Sequence, residues 1–430
     1  MSSVIINSPA SGSKPIIKQG LWKGYKTPGL IGPVRWDAFR MQSILAHFGI
    51  DKKGRGKSVI TPDFTGTTVP AETCEELGKR FADVAAARMG LIYARLGSIP
   101  GFELECGLTG LHGNGDTLVF SSGMAAISHL ILALVRPGDN IVSHGTIYGC
   151  TDDLFTHALP QMDVETRMID LRDLKLLAKH IDENTCAVFL ETPANPSLTL
   201  IDIAAVSEVV RGRCPIIVDN TFMSPVLQNP FESGADIVVY SLTKSIGGHS
   251  NAMGGAVLGS GQLIDELWVT RKDYGGVLPA REASAFLEGV KTLDVRVARM
   301  QENAVKVAQM LAKRNEVFKV FYPLFDEQYK SLEVRQMQGP GYMIAFELKG
   351  GMEAGIHLLN NLSMIPIAVS LGGVETLVCH PASTTHSVIE REKRIAKGIT
   401  DGLVRLSVGI ENVDDILGDL TQAFTQLGRN

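Results

Sequence analysis

The stretch DIVVYSLTKSIGGHSNAMGG (236–255) decides the fold class, because it runs from an apolar segment through a hydroxyl-rich turn with one lysine into a glycine-rich bend. DIVVY reads as a strand buried on both faces. Ser241, Thr243 and Lys244 follow at its carboxyl end. Similar runs flank it: DTLVF (116–120), NIVSH (140–144), CAVFLE (186–191), PIIVD (215–219) and GGAVLG (254–259). Helix-length stretches such as Gly123–Val135 and Ile203–Arg211 separate several of them. Apolar strands alternating with helical crossovers predict a mainly parallel α/β sheet. GGAVLG follows its predecessor by a short connection, which predicts an edge or antiparallel strand.

Outward from this block, residues 1–90 are punctuated by glycine and proline in SPASGSKP, YKTPGLIGP and KKGRGK. One helix is predicted over Ala71–Ala86, capped by Thr73. Downstream, FLEGVKTLDVRVARMQENAVKVAQMLAKR carries apolar residues at helical spacing and predicts a long amphipathic helix over roughly 284–314. Arg296, Arg299, Lys306 and Lys313 are assigned to its polar faces. YMIAFEL (342–348) and VRLSVG (404–409) then read as strands among helices. The chain divides on this reading into an N-terminal arm and inter-subunit segment (1–90), a large domain (91–283), and the long helix with a smaller α+β domain (284–430).

The net charge of −5 gives no electrostatic reason to expect a nucleic-acid partner. Six cysteines, at 74, 106, 150, 186, 214 and 379, form no CxxC pair, which fits reduced thiols in a cytoplasmic protein. No run reads as a signal peptide or membrane span. His380 beside Cys379 lacks spaced companions, so no metal site is predicted.

The chemistry gathers at strand ends. A lysine after a strand is commonly a surface residue, but Lys244 stands one strand beyond Asp219, which closes PIIVD and precedes Asn220 and Thr221. An amine that reacts with a carbonyl, plus an acid for a pyridine nitrogen, is what pyridoxal 5′-phosphate requires. In open sheets such groups converge beyond strand carboxyl ends. FSSGMAAISHLILAL (120–134) reads as strand, turn and helix. Amides of Gly123 and Met124, with Ser122, would face a phosphate, although SSG is equally a plain helix cap. SHGTIYGCTDDLF (143–155) places Tyr148 and Cys150 after another strand, and ETPANPS (191–197) holds Asn195 between prolines.

From about Tyr93 to Glu411 these segments resemble the cystathionine-synthase and methionine-gamma-lyase family of pyridoxal-phosphate enzymes. The resemblance implies the type I, aspartate-aminotransferase-like fold: a large domain built on a mainly parallel sheet and a smaller α+β C-terminal domain. It also implies a homotetramer built as a dimer of dimers, with active sites shared across each dimer, and an amino-acid substrate. By resemblance Lys244 is the Schiff-base lysine and Asp219 pairs with the pyridine nitrogen. Asn195 approaches the ring oxygen, Tyr148 stacks on the ring, and Thr221 lies beside Asp219. Ser122, Gly123, Met124, Ser241 and Thr243 surround the phosphate, which Tyr93 and Arg95 of IYARLGS reach from the adjacent subunit. Arg405 clamps the substrate carboxylate with Ser370, while Cys150, Lys272 and Asp273 (from RKDYGGVLP, 271–279) approach the substrate side chain.

Tyr148 is the implied acid for a departing thiolate. Its phenol, with a free pKa of about 10, is therefore expected to be tuned by cationic neighbours. YGCT (148–151) and RKDYGGVLP resemble the methionine-gamma-lyase versions of these segments, and that resemblance implies γ-elimination from methionine to 2-oxobutanoate, ammonia and methanethiol. The alternatives are γ-replacement by an O-acylhomoserine sulfhydrylase or cystathionine γ-synthase, a γ-lyase acting on canavanine, homocysteine or cystathionine, and a catalytically silent binding or regulatory homologue. The chain departs from the family at YARLGSIP and at Asn251, where aspartate is usual.

Overall fold

The computed structural model describes residues 40–48, 60–61, 65–82, 84–89, 91–113 and 115–427. Most of the predicted N-terminal arm lies outside the described residues. Seven strands form the larger sheet: β1 (Asp116–Phe120), β2 (Asn140–His144), β3 (Glu165–Ile169), β4 (Thr185–Glu191), β5 (Ile216–Asp219), β6 (Ile237–Ser241) and β7 (Gly255–Gly259). Their order is β1-β7-β6-β5-β4-β2-β3. All run parallel except β7, which is antiparallel to both β1 and β6.

The antiparallel expectation for GGAVLG is met, but the strand is internal rather than an edge. Its short connection allows direct return beside β6, and β1 then pairs with its other side. Continuous apolar runs reflect burial on both faces. Ile237 and Val239 pack into one core, and Val238 and Tyr240 into the other. β3 was not anticipated. ETRMI is an edge strand with exposed and half-buried positions, so its sequence lacks the apolar signature of its neighbours.

The segment predicted as one helix at 71–86 forms two, Cys74–Arg80 and Val84–Met89; Thr73 does cap the first, accepting the Glu76 N–H at 3.1 Å. The predicted 284–314 helix is likewise two, Ala280–Gly289 and Leu293–Leu311, joined by a short 3-10 turn at Val290–Thr292. The second antiparallel sheet has the order β10-β11-β9-β8, from β8 (Val317–Phe321), β9 (Met343–Leu348), β10 (Leu377–Cys379) and β11 (Leu403–Ser407). The C-terminal helix Val413–Leu427 packs Phe424 on Phe346 of β9. It also presents Asp419, whose carboxylate accepts the N–H groups of Ser363, Met364 and Ile365 at 2.8–2.9 Å.

Four buried charges brace the start of the large sheet. Arg88 donates to Asp116 at 2.7 Å and to Glu105 at 3.2 Å, and Arg271 donates to Glu105 at 3.3 Å. Each guanidinium also caps a β1 carbonyl: Arg88 that of Thr117 and Arg271 that of Val119, both at 2.6 Å. Opposite charges in equal number, with further terminal guanidinium donors on backbone oxygens, make such burial tolerable, although the Nε of Arg88 and of Arg271 has no hydrogen-bond partner among the described residues.

Candidate active site

The carboxyl ends of the parallel strands converge, and the amino end of β7 meets them: Gly255 lies in register with Phe120 of β1 and Ser241 of β6. A Cβ at Gly255 would stand 2.2 Å from the Ser122 carbonyl oxygen, and one at Gly123 would stand 2.9 Å from the Ser241 Cβ. Glycine is therefore required for the turn after β1 to sit directly against β6 and β7. Ser122 caps the helix Gly123–Leu134 by accepting the Ala125 N–H at 3.0 Å. Its capping role is thus real, and the helix start still faces the site. Met124 packs beside Thr151, whose hydroxyl meets its sulfur at 3.7 Å.

Asp219 closes β5 and is half-buried, the three residues before it being buried. Its Oδ1 accepts the Thr221 N–H at 3.0 Å and the Thr221 hydroxyl at 2.5 Å. The same hydroxyl accepts the Ser241 N–H at 2.9 Å, locking the ends of β5 and β6 together. Burial pushes the Asp219 carboxyl above the usual range, and among the described residues no cation pairs with it. Thr243 spends its hydroxyl on Gly254, accepting the N–H at 3.0 Å and meeting the carbonyl at 3.2 Å.

Lys244 Nζ donates to Ser370 Oγ at 2.7 Å. Burial, and then the nearby Arg405 guanidinium, pull this amine down to about 8. Ser370 occupies the left-handed region at φ 84°, uncommon for serine, and its carbonyl accepts Arg405 Nη2 at 3.0 Å. Arg405 Nη1 donates to Asn195 Oδ1 at 3.1 Å, so β11 of the small sheet meets the β4 loop across this point.

Tyr148 and Cys150 are both exposed, with the thiol 3.4 Å from the phenol oxygen. The expectation that cations lower this phenol is not met among the described residues. Burial, Cys150 and Glu191 push it up to about 12, and Arg405 offsets only part.

The predicted site residues thus fall into two groups. Residues 122–124, 148, 150, 195, 219, 221, 241, 243, 244, 370 and 405 collect around the strand ends. Tyr93, Arg95, Lys272 and Asp273 form a second, more exposed group: Arg95 lies over the Tyr93 ring at 5.7 Å and donates to the Lys272 carbonyl, and Lys272 pairs with Asp273 at 3.2 Å. No hydrogen bond or ion pair joins the two groups among the described residues.

Two positions escaped the sequence reading. Arg296, assigned to a polar helix face, is buried. It donates to the carbonyls of Ser245 and Gly289, each at 2.7 Å, and fills the space where a Gly248 Cβ would stand 1.8 Å from Nη1. Its signal was its place on the apolar side of the helical period. Glu191 ends β4 in register with Asp219, and its mark was an acid closing an apolar run. No group of metal-ligating side chains exists among the described residues, and none of their helices is long and apolar enough to cross a membrane.

A half-buried carboxylate without a cation among the described residues, a depressed amine and a glycine-packed turn at a helix start fit, in order, a cationic ring nitrogen, an aldehyde and a phosphate. The architecture and this donor set are those of a fold type I, pyridoxal-phosphate-dependent enzyme of the carbon–sulfur lyase and transferase class. The chain belongs to the Cys/Met metabolism PLP-dependent enzyme family, whose model matches residues 42–425. It is 42% identical over 375 residues to the L-methionine gamma-lyase of Fusobacterium nucleatum subsp. polymorphum, covering 86% of this chain and 94% of that protein. It is 42% identical over 388 residues to the L-methionine gamma-lyase of Treponema denticola, covering 89% and 96%. The solved structure of cystathionine gamma-lyase from Lactobacillus plantarum complexed with L-serine matches with a TM-score of 0.84 at 32% identity, covering 91% of this chain and all of that one.

Proposed function

We propose that the protein cleaves methionine by γ-elimination, yielding 2-oxobutanoate, ammonia and methanethiol. The observation that carries this reading is the exposed Tyr148–Cys150 pair, set within the electrostatic reach of Arg405 in a chain 42% identical to two L-methionine gamma-lyases. When bound, pyridoxal phosphate supplies an electron sink that stabilises a carbanion on the amino-acid substrate.

In this proposal Lys244 Nζ holds the cofactor and, once freed, moves the α-proton. The Asp219 carboxylate keeps the ring nitrogen protonated, with Thr221 fixing its orientation. Asn195 faces the ring oxygen and Tyr148 the ring. Backbone amides at Gly123 and Met124, with Ser122, Ser241 and Thr243, receive the phosphate. Arg405 and Ser370 orient the substrate carboxylate. Tyr148 delivers a proton to the departing thiolate, while Cys150, Lys272 and Asp273 border the substrate side chain. Since Tyr93, Arg95, Lys272 and Asp273 have no bond to the other group among the described residues, they are assigned to the site of a neighbouring subunit in a homotetramer of paired dimers. That same neighbour supplies the cations that the described residues withhold from Tyr148.

Cystathionine is the second reading, favoured by the similarity to the cystathionine gamma-lyase structure. Product analysis on methionine, homocysteine, cystathionine, canavanine and O-acylhomoserines, with and without sulfide or cysteine, separates the readings. Release of 2-oxobutanoate from methionine without an added nucleophile supports the proposal; efficient product formation only with sulfide rejects it.

A further inference from the structure

Beneath the site lies a second carboxyl group, this one buried, to which the proposed reaction gives no role. Glu191 closes β4 exactly as far along the sheet as Asp219 closes β5, and in a parallel ladder residues in register project from the same face. Its two oxygens are spent on two different loops. Oε1 accepts the Tyr148 N–H at 2.8 Å, and Oε2 accepts the Asn195 N–H at 3.2 Å. One carboxyl group thereby sets the backbone of both the residue facing the ring and the residue facing the ring oxygen. Only 5% of Glu191 is exposed, and no cation pairs with it among the described residues.

Two carboxylates side by side, one buried and the other half-buried, cannot both ionise cheaply. The charged or titratable groups around Glu191 are Asp219 on β5, the Tyr148 phenol beyond β2 and, past Asn195, Arg405 of β11. Arg405 spends its donors on Asn195 and on the Ser370 carbonyl. Burial, then the Asp219 charge, push Glu191 up to about 8. Both carboxyls are pushed up by burial, so the pair tends to keep a proton when no ligand is bound.

We propose that Glu191 is a positioning residue that keeps a proton beside Asp219 in the empty site and releases it when a cationic ring nitrogen arrives at Asp219, so that two negative charges rather than one balance the cation. This rests on the assignment of Asp219 as the ring-nitrogen partner. The sign follows from linkage. A bound cation lowers the pKa of Glu191, so ligand binding must tighten as pH rises toward about 8, and a side chain that cannot ionise must lose that gain.

The test uses 4′-deoxypyridoxine 5′-phosphate, which keeps the ring and phosphate but has no aldehyde to react with Lys244. Its dissociation constant is measured with the full-length apoprotein from about pH 6 to about pH 9, for wild type, Glu191→Gln and Asp219→Asn. The ratio of the Glu191→Gln constant to the wild-type constant should rise about tenfold across that range, one pKa unit of coupling being worth about tenfold. A ratio that stays flat while Asp219→Asn weakens binding overturns the inference alone. Binding by Asp219→Asn that equals wild type overturns the ring-partner assignment and the inference with it.

A second measurement needs no variant, and so stands even where Glu191→Gln does not fold. The infrared difference spectrum of wild type at about pH 7 should show a protonated-carboxyl stretch that disappears on adding the probe. Its absence from the free protein overturns the retained proton.

Discussion

Replacing Arg296 with leucine removes a cation from the interior without opening a large hole, yet it should be among the more damaging single changes available. The guanidinium closes the carbonyls of Ser245 and Gly289 at 2.7 Å, and Nε reaches the Thr292 hydroxyl at 3.0 Å. Ser245 is 1% exposed, so water cannot take over at its carbonyl. A stranded buried acceptor costs about 1–3 kcal/mol, and two of them about 2–6 kcal/mol. Part of that is returned because the buried guanidinium is itself costly, burial having pulled it down to about 10. The net expectation for Arg296→Leu is a loss of about 2–4 kcal/mol, read as a lower denaturant midpoint at unchanged slope. Because Ser245 directly follows Lys244, pyridoxal-phosphate affinity should fall with it. Arg299→Leu is the control: that side chain is 56% exposed on the same helix and its only partner among the described residues is Glu302 at 3.6 Å, so it should cost less than about 0.5 kcal/mol. Equal midpoints for the two variants would refute the claim that Arg296 fastens the lysine turn.

Two further outcomes are expected. With Lys244 lowered to about 8 by burial and Arg405, the rate at which apoprotein takes up pyridoxal phosphate should climb with pH and level off near 8 rather than above 10; Arg405→Leu should move the break upward, and stopped-flow absorbance reads both. For Asp419, burial raises the carboxyl, but the N–H groups of Ser363, Ile365 and Met364 outweigh it and hold it below its ordinary value. The stability it contributes is present above the unfolded pKa of about 4 and is lost as pH falls through the lower folded value. Asp419→Asn should therefore cost about 1–3 kcal/mol at neutral pH and progressively less in acid, as followed by chemical unfolding across that range.

How much was readable in advance depended on where a residue's partners lie. Strands β4, β5 and β6 were visible because burial on both faces leaves an unbroken apolar run, and Lys244 and Asp219 stood out as polar groups at the ends of such runs. β3 was invisible because an edge strand needs no apolar face at every position. Arg296 was misplaced for a related reason. Helical periodicity reports which side a residue occupies, but whether a cation there finds carbonyl oxygens depends on the Ser245 turn about fifty residues earlier. The Tyr148 expectation is not met because burial, with Cys150 and Glu191 beside the phenol, outweighs Arg405. The break between Ala280–Gly289 and Leu293–Leu311 leaves the apolar rhythm nearly intact, so one helix and two look alike in sequence.

The four charges at 88, 105, 116 and 271 have a consequence for how such a chain can change over generations. Neutralising any one of them strands an opposite charge in the interior, so each single step leads downhill even where a fully apolar quartet would fold as well. Positions separated by more than 180 residues are thereby tied into one heritable unit. Recombination that cuts between Asp116 and Arg271 should yield folded offspring only when both parents carry the same quartet.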